Sequence, residues 1–423
     1  MIEPLAATAV ALVFWVTLLL YGFSSFWWLL EVTVLAYGWR ADDESEIGLD
    51  NIQVRILTYN SPSTVQVTVN SVPEGVAETK VIAEAEMDID GADVHVVPDE
   101  FESQAQKKGR AIEWARRHVA CEQEYILYLD EDSIMVNFEG LPAADLVQIT
   151  EHPLRTGSWL VYLCEVFRVG YQREQRAFHR MAYPLYAWGG AVAVRTELED
   201  EVTWDVPTIT EDTTYIWRAA KHVNRKGGRF DYRLLNRRFR NQAPPSIREM
   251  FNQRRRWMSG TLRDMYRLPR RYLPLQAARI ITWTLSPVIP LLSVLAFLYP
   301  ELVPQHGLYQ IASVGLFSML FVYMTAGLIE YRKYPEQWPV YLALTPLVVT
   351  LHAVGAFWGM LRPAKDFKIT EKTPGRVGVE TLTELNPDLD EEIMAPNEET
   401  AEPGKETAAS DGESDAAAAS AND

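Results

Sequence analysis

Apolar and polar positions divide the chain into three tracts. Leu5 to Tyr37 is apolar almost throughout, with Glu31 as its only charge. That exceeds the roughly 20 residues a helix needs to cross a bilayer, but barely accommodates two short spans. A secretory leader would have a shorter apolar core, a basic start and a small-residue cleavage site. The pattern therefore predicts a long anchor over residues 1–40, in which Phe26 to Tyr37 reads either as a second short span or as an interfacial helix.

Residues 50–246 are polar overall and carry short apolar runs. Ile52 to Asn60 alternates and then turns apolar, as an opening strand does, and Asn60-Ser61-Pro62-Ser63 stops it. A helix over Ser63 to Val72, strands at Lys80 to Glu86 and Val94 to Val97, and a helix from Ser103 to His118 follow. Tyr125 to Leu129 then reads as a buried strand. Strand and helix alternating at this spacing predict an α/β fold on a mostly parallel sheet with helices on both faces. Ligands on such sheets sit at the carboxyl ends of the strands, where Thr58, Glu86 and Asp130 fall.

The last third is apolar again. Ile280 to Pro300, Leu308 to Ile329 and Val340 to Leu361 each reach spanning length without an internal charge. They predict membrane helices over residues 276–362. The stretch before them, residues 247–275, mixes Met250, Phe251, Trp257, Met258, Leu262 and Met265 with arginines, the pattern of an amphipathic interfacial helix. Arginine-rich segments ahead of the spans place the polar region in the cytoplasm of a cell-membrane protein.

Charge changes this picture only at one end. Val379 to Asp423 holds fourteen acids against Lys405 alone, −13 of the net −17. Residues 363–423 therefore read as an acidic, largely disordered tail. The remainder is close to balanced and makes no case for a nucleic-acid partner. Two distant cysteines and scattered histidines leave no zinc or disulfide pattern, so a metal here would be bound by oxygen.

Four short stretches carry candidate chemistry. Asp130-Glu131-Asp132 follows the buried strand at once, and two carboxylates one residue apart can share Mg²⁺ or Mn²⁺, which in turn holds a diphosphate. Lys107-Lys108-Gly109 opens the preceding helix and suits an anionic ligand. Trp188-Gly189-Gly190 enters an apolar strand, where glycine allows close approach and Trp188 offers a face to a sugar ring; a tight turn with a core tryptophan would look the same. Thr210-Glu211-Asp212 opens a helix with a capping threonine and acids that suit its dipole, and Asp212 is also a candidate general base.

With Gln253-Arg254-Arg255-Arg256-Trp257 added, the order resembles the family 2 glycosyltransferases over about Val54 to Pro300. Within that family the series Leu129-Asp130-Glu131-Asp132, Ala187-Trp188-Gly189-Gly190, Thr210-Glu211-Asp212 and Gln253 to Trp257 is similar to the egghead-type β-1,4-mannosyltransferases. The resemblance implies a GT-A-like fold flanked by transmembrane helices. It implies a nucleotide-sugar donor, GDP-mannose or a UDP-hexose, and a lipid-linked or glycan acceptor. By it Asp130 and Asp132 hold the metal, and Asp212, beside Glu211, deprotonates the acceptor. Arg256 answers leaving-group charge, Thr58, Glu86 and Lys108 border the donor, and Trp188, Gly189, Gly190, Gln253 and Trp257 border the acceptor. Glu84 competes with Glu86 for the place beside the nucleotide. Phe367 to Lys372 resembles the gating loop of processive polysaccharide synthases, which stand as an alternative reading, as does a non-catalytic scaffold on the same fold.

Overall fold

A computed structural model of the chain describes residues 2–39 and 45–364. Phe367 to Lys372 and the acidic tail lie outside the described residues. Helix α1 (Ile2–Leu30) opens the chain and continues into a wider helical turn at Glu31–Leu35, so that Ala7 to Leu35 is one apolar rod. The second short span considered over Phe26 to Tyr37 is not formed, because nothing in that stretch breaks the helix.

The polar region alternates strand and helix as its pattern predicts. β1 (Ile52–Thr58), α2 (Pro62–Asn70), β2 (Glu78–Ala83), β3 (Asp93–Val96), α3 (Lys108–His118) and β4 (Tyr125–Asp130) form its first half. β2 stops at Ala83, earlier than the alternation suggested, so Glu84 and Glu86 lie past the strand end. The second half comprises β5 (Leu146–Leu154), α4 (Trp159–Tyr171), β6 (Ala191–Arg195), α5 (Thr196–Val202), α6 (Glu211–Arg225) and β7 (Tyr232–Gln242).

These strands make one seven-stranded sheet in the order β3-β2-β1-β4-β6-β5-β7. β6 runs antiparallel to both its neighbours, β4 and β5, and the other pairings are parallel. Alternation along β4 sends Ile126 and Tyr128 into a core with α3 and α6 on one face, around Trp217. Tyr125, Leu127 and Leu129 enter the other, with Val65 of α2 and Phe239 of β7.

The chain then returns to long helices. α7 (Ile247–Asp264) leads to α8 (Leu273–Leu285) and α9 (Val288–Leu298), then to α10 (His306–Tyr331), α11 (Trp338–Ala343) and α12 (Thr345–Leu361). Two uninterrupted helices, Ala7–Leu35 and His306–Tyr331, are long and apolar enough to cross a membrane. The other two expected spans are bent, by 67° between α8 and α9 and by 68° between α11 and α12. Pro287 and Pro346 stand at these breaks, where a missing N–H and ring sterics interrupt the helix ladder.

α7, the expected interfacial helix, packs one face against protein. Met250, Met258 and Arg254 are buried in protein. Its backbone lies against α12, where a Cβ on Gly355 would come 2.6 Å from the Phe251 carbonyl and one on Gly359 the same distance from that of Arg255. Small residues four apart let the two backbones touch. α4 meets α10 in the same way at Gly170 and Gly327.

Candidate active site

The antiparallel placement of β6 builds the site. It brings the entry of β6 beside the carboxyl end of β4, so that the Asp130 amide donates to the Gly190 carbonyl at 3.2 Å. Ser133 Oγ donates to that same carbonyl at 2.6 Å. From the far edge of the sheet, the Gln242 amide at the end of β7 donates to Asp132 Oδ2 at 2.9 Å. Strand ends distant in sequence thus meet around one cavity of about 910 Å³, a size suited to a substrate-sized ligand.

Lys108 stands at its centre. Its Nζ lies 2.7 Å from Asp130 Oδ1 and 3.7 Å from both Glu211 Oε1 and Asp212 Oδ1. It also donates to the Gly189 carbonyl at 2.9 Å. Burial alone would depress its pKa, but Asp130, Asp212 and Glu211 outweigh it and hold the ammonium protonated. Asp212, at the first turn of α6, is pushed up to about 8, chiefly by burial, with Lys108 opposing and Glu211 and Asp130 adding. Burial likewise lowers Arg256 from its ordinary value, against the pull of Glu211, Asp130 and Asp212.

Two glycines permit this crowding. A Cβ on Gly189 would come 2.4 Å from Asp212 Oδ2 and 2.7 Å from Lys108 Nζ. Thr210 begins α6 without capping it by its side chain. Its amide instead donates to Thr208 Oγ1, which is tied to Asp264 Oδ2 of α7 at 2.7 Å. The start of α6 is therefore fastened to α7.

Of the residues singled out in the sequence, the cavity wall brings together Thr58, Lys108, Asp130, Asp132, Trp188, Gly189, Gly190, Glu211, Asp212, Gln253, Arg256 and Trp257. Glu86 is exposed and is not among them. Glu84 takes that place, paired with Arg110 at 2.9 Å, because β2 ends before it and Arg110 draws it inward. Thr58 donates to Glu131 Oε2 at 2.6 Å, so its hydroxyl fixes the acidic turn. Trp188 is not open on both faces, since the Arg168 guanidinium lies 4.6 Å from its ring centroid.

Sequence reasoning passed over α4 and the end of β5. Arg168 also lies 5.7 Å from the Trp257 ring, and Glu165 binds both Arg168 and Arg254. Arg254 in turn lies 4.2 Å from Trp257. Glu151, at the end of β5, is pushed up to about 7, mainly by burial, with Arg168 opposing and Asp130 and Asp132 adding. Charged residues three apart on an otherwise apolar helix, and an acid in an apolar strand, were the available signals.

A mixed, mostly parallel seven-stranded sheet with helices on both faces and a cavity at its strand ends is a GT-A-like fold. A family model described as glycosyl transferase family group 2 matches residues 125–360, more than half of the chain, and the chain belongs to that family. No curated protein matches it.

Proposed function

We propose that the protein is an inverting hexosyltransferase. It would move a sugar from a nucleotide diphosphate to a hydroxyl of a lipid-linked or glycan acceptor, with its catalytic region in the cytoplasm and its apolar helices in the cell membrane. The observation that carries this reading is the convergence of Lys108 with Asp130, Glu211 and Asp212 at the Gly189–Gly190 turn.

The acceptor oxygen bonds to the anomeric carbon as the bond from that carbon to the diphosphate breaks, which inverts its configuration. Asp212 takes the acceptor proton. Lys108 and Arg256 offset the negative charge left on the departing diphosphate. Gln253 and Trp257 border the acceptor. Asp130 and Asp132 have the hard oxygen ligands that Mg²⁺ or Mn²⁺ prefers. Among the described residues no group of three or more His, Cys, Asp and Glu side chains is arranged to hold a metal. Asp130 and Asp132 are the residues that would hold such a cation, and it would supply leaving-group stabilisation when bound.

The similarity to egghead-type mannosyltransferases favours GDP-mannose, with UDP-hexoses as the competing donors. Arrival of the acceptor from the membrane is supported by the cavity lining, which continues through Tyr21, Ser24, Thr282, Trp283, Tyr323 and His352. Polar side chains on membrane helices face cavities and mark substrate paths. The same lining favours the processive reading as second choice, and product length separates the two: one added sugar against a ladder.

Asp212→Asn tests the base assignment. We expect transfer to fall at least a thousandfold while affinity for the nucleotide sugar stays within about threefold; near-normal turnover in this variant would overturn it.

A further inference from the structure

Glu151 belongs to none of the motifs, yet it lines the same cavity and is only 5% exposed. Its placement depends on an irregularity of the sheet. Ile149 of β5 pairs with Leu235 but Glu151 pairs with Phe239, so β7 carries extra residues between them. Within that excess Arg238 adopts φ 57°, and its amide donates to Thr150 Oγ1 at 3.0 Å. Such bulges re-aim side chains beside functional sites.

The carboxylate is incompletely satisfied. Oε2 accepts from Asn241 Nδ2 at 2.8 Å, while Oε1, although buried, accepts no hydrogen bond among the described residues. Oε1 stands against the backbone of Gly190, where a Cβ would come within 1.8 Å of it. Arg168, the basic neighbour, is engaged elsewhere: Nε donates to Glu165 Oε2 at 2.6 Å and Nη1 to Gln172 Oε1 at 3.1 Å. No ion pair joins Arg168 to Glu151 among the described residues. Arg168 therefore acts on Glu151 through its charge and not through a direct hydrogen bond. A buried carboxylate oxygen without a donor is costly in a folded protein and marks a place where a water, an ion or a ligand hydroxyl would be stabilised.

The position of the carboxylate narrows the ligand. Gly189 packs against Asp212 and Lys108, and the adjoining Gly190 against Glu151. The charges nearest Glu151 are Arg168, which favours its ionised form, and Asp130 and Asp132, which oppose it. Between a diphosphate at those two acids and an acceptor hydroxyl at Asp212 lies the place of the transferred hexose, whose hydroxyls are hydrogen-bond donors of the kind a carboxylate accepts. Resting on the sugar-transfer reading above, we propose that Glu151 accepts a hydrogen bond from a hydroxyl of the transferred sugar and so sets which hexose is taken.

The test compares sugar nucleotides with their nucleotides on the full-length protein in detergent. GDP-mannose, UDP-glucose and UDP-N-acetylglucosamine are hydrolysed by wild type, Glu151→Gln and Glu151→Ala, and GDP and UDP serve as inhibitors. The expected result is a KM at least tenfold higher for whichever sugar nucleotide the wild type uses, with the inhibition constant of its nucleotide within twofold. The unchanged constant also reports that the variants fold, and Glu151→Gln preserves volume if Glu151→Ala does not. An unaltered KM overturns the proposal. So does weakening of sugar nucleotide and nucleotide alike, or a raised Mg²⁺ requirement, either of which would assign Glu151 to the diphosphate or its cation. Hydrolysis of none of the three donors by the wild type would strike the parent reading first, and this inference with it.

Discussion

In the proposed mechanism the pH range of transfer is set by Asp212 as base and by Lys108 beside it. A carboxylate works as a base only when ionised, so activity is lost as pH falls through its pKa. Burial raises that value and Lys108 restrains the rise. The acid limb of kcat/KM should accordingly lie near neutrality, well above the ordinary carboxylate range. Lys108→Met should move it to still higher pH, since the restraint is lost, and should cost at least a hundredfold in rate. A pH–rate profile of both proteins checks the sign: a limb near pH 4 in wild type, or a downward shift in the variant, would contradict it. The residues of this cluster were legible in the sequence because each sits in a short motif whose chemistry is local. Glu151, Glu165 and Arg168 were not, since their significance depends on which strands and helices face them. Glu86 was chosen over Glu84 because alternation carried β2 past Ala83, whereas the pull of Arg110 on Glu84 is visible only in three dimensions.

At the scale of elements, the strand and helix series was readable from apolar periodicity. The antiparallel insertion of β6 was not, because nothing in Ala191 to Arg195 encodes the direction of its partner. That insertion nevertheless decides the site, by carrying Gly189 and Gly190 to Asp130. The helices are joined by equally specific contacts. α7, which carries Gln253, Arg256 and Trp257, is seated on α12 through Gly355 and Gly359. A methyl at Gly359 meets the Arg255 carbonyl at 2.6 Å and Met258 Cβ at 2.9 Å, and neither is the end of a flexible side chain. Gly359→Ala should therefore destabilise the protein by roughly 1–3 kcal/mol, the usual cost of overpacking, and lower transfer. Gly315, inside α10, has nothing within 4 Å of an added Cβ, so Gly315→Ala should leave transfer unchanged and cost no stability. Thermal unfolding in detergent separates the outcomes, and equal behaviour of the two variants would refute the seating. The arginine-rich pattern of α7 reads as membrane contact, and its protein-facing side was not legible because composition does not distinguish a lipid surface from a protein one. Arg254 is instead enclosed with Glu165.

For the whole molecule, the cavity ties the sheet to the apolar helices, with lining residues on β1, β4 and α6 at one end and α1, α8, α10 and α12 at the other. The apolar tracts announced those helices, and the breaks at Pro287 and Pro346 were present as residues, but the bends they produce needed the packed structure. Filling the membrane end should separate its role from that of the donor end. Ser24→Trp should spare sugar-nucleotide hydrolysis while cutting transfer to a membrane-borne acceptor tenfold or more; radiolabel incorporated into the lipid fraction measures it, and undiminished incorporation would rule out that route. The proposed reaction at this cluster of acids and bases is transfer of sugar from a nucleotide diphosphate. Its most direct test is nucleotide release by the detergent-purified protein from GDP-mannose, UDP-glucose and UDP-N-acetylglucosamine, with Mg²⁺ or Mn²⁺, beside Asp132→Asn. We predict slow, cation-dependent release from one of them, lost in the variant. Release that is indifferent to the cation and to Asp132, or no release from any of the three with acceptor membranes present, would contradict the account.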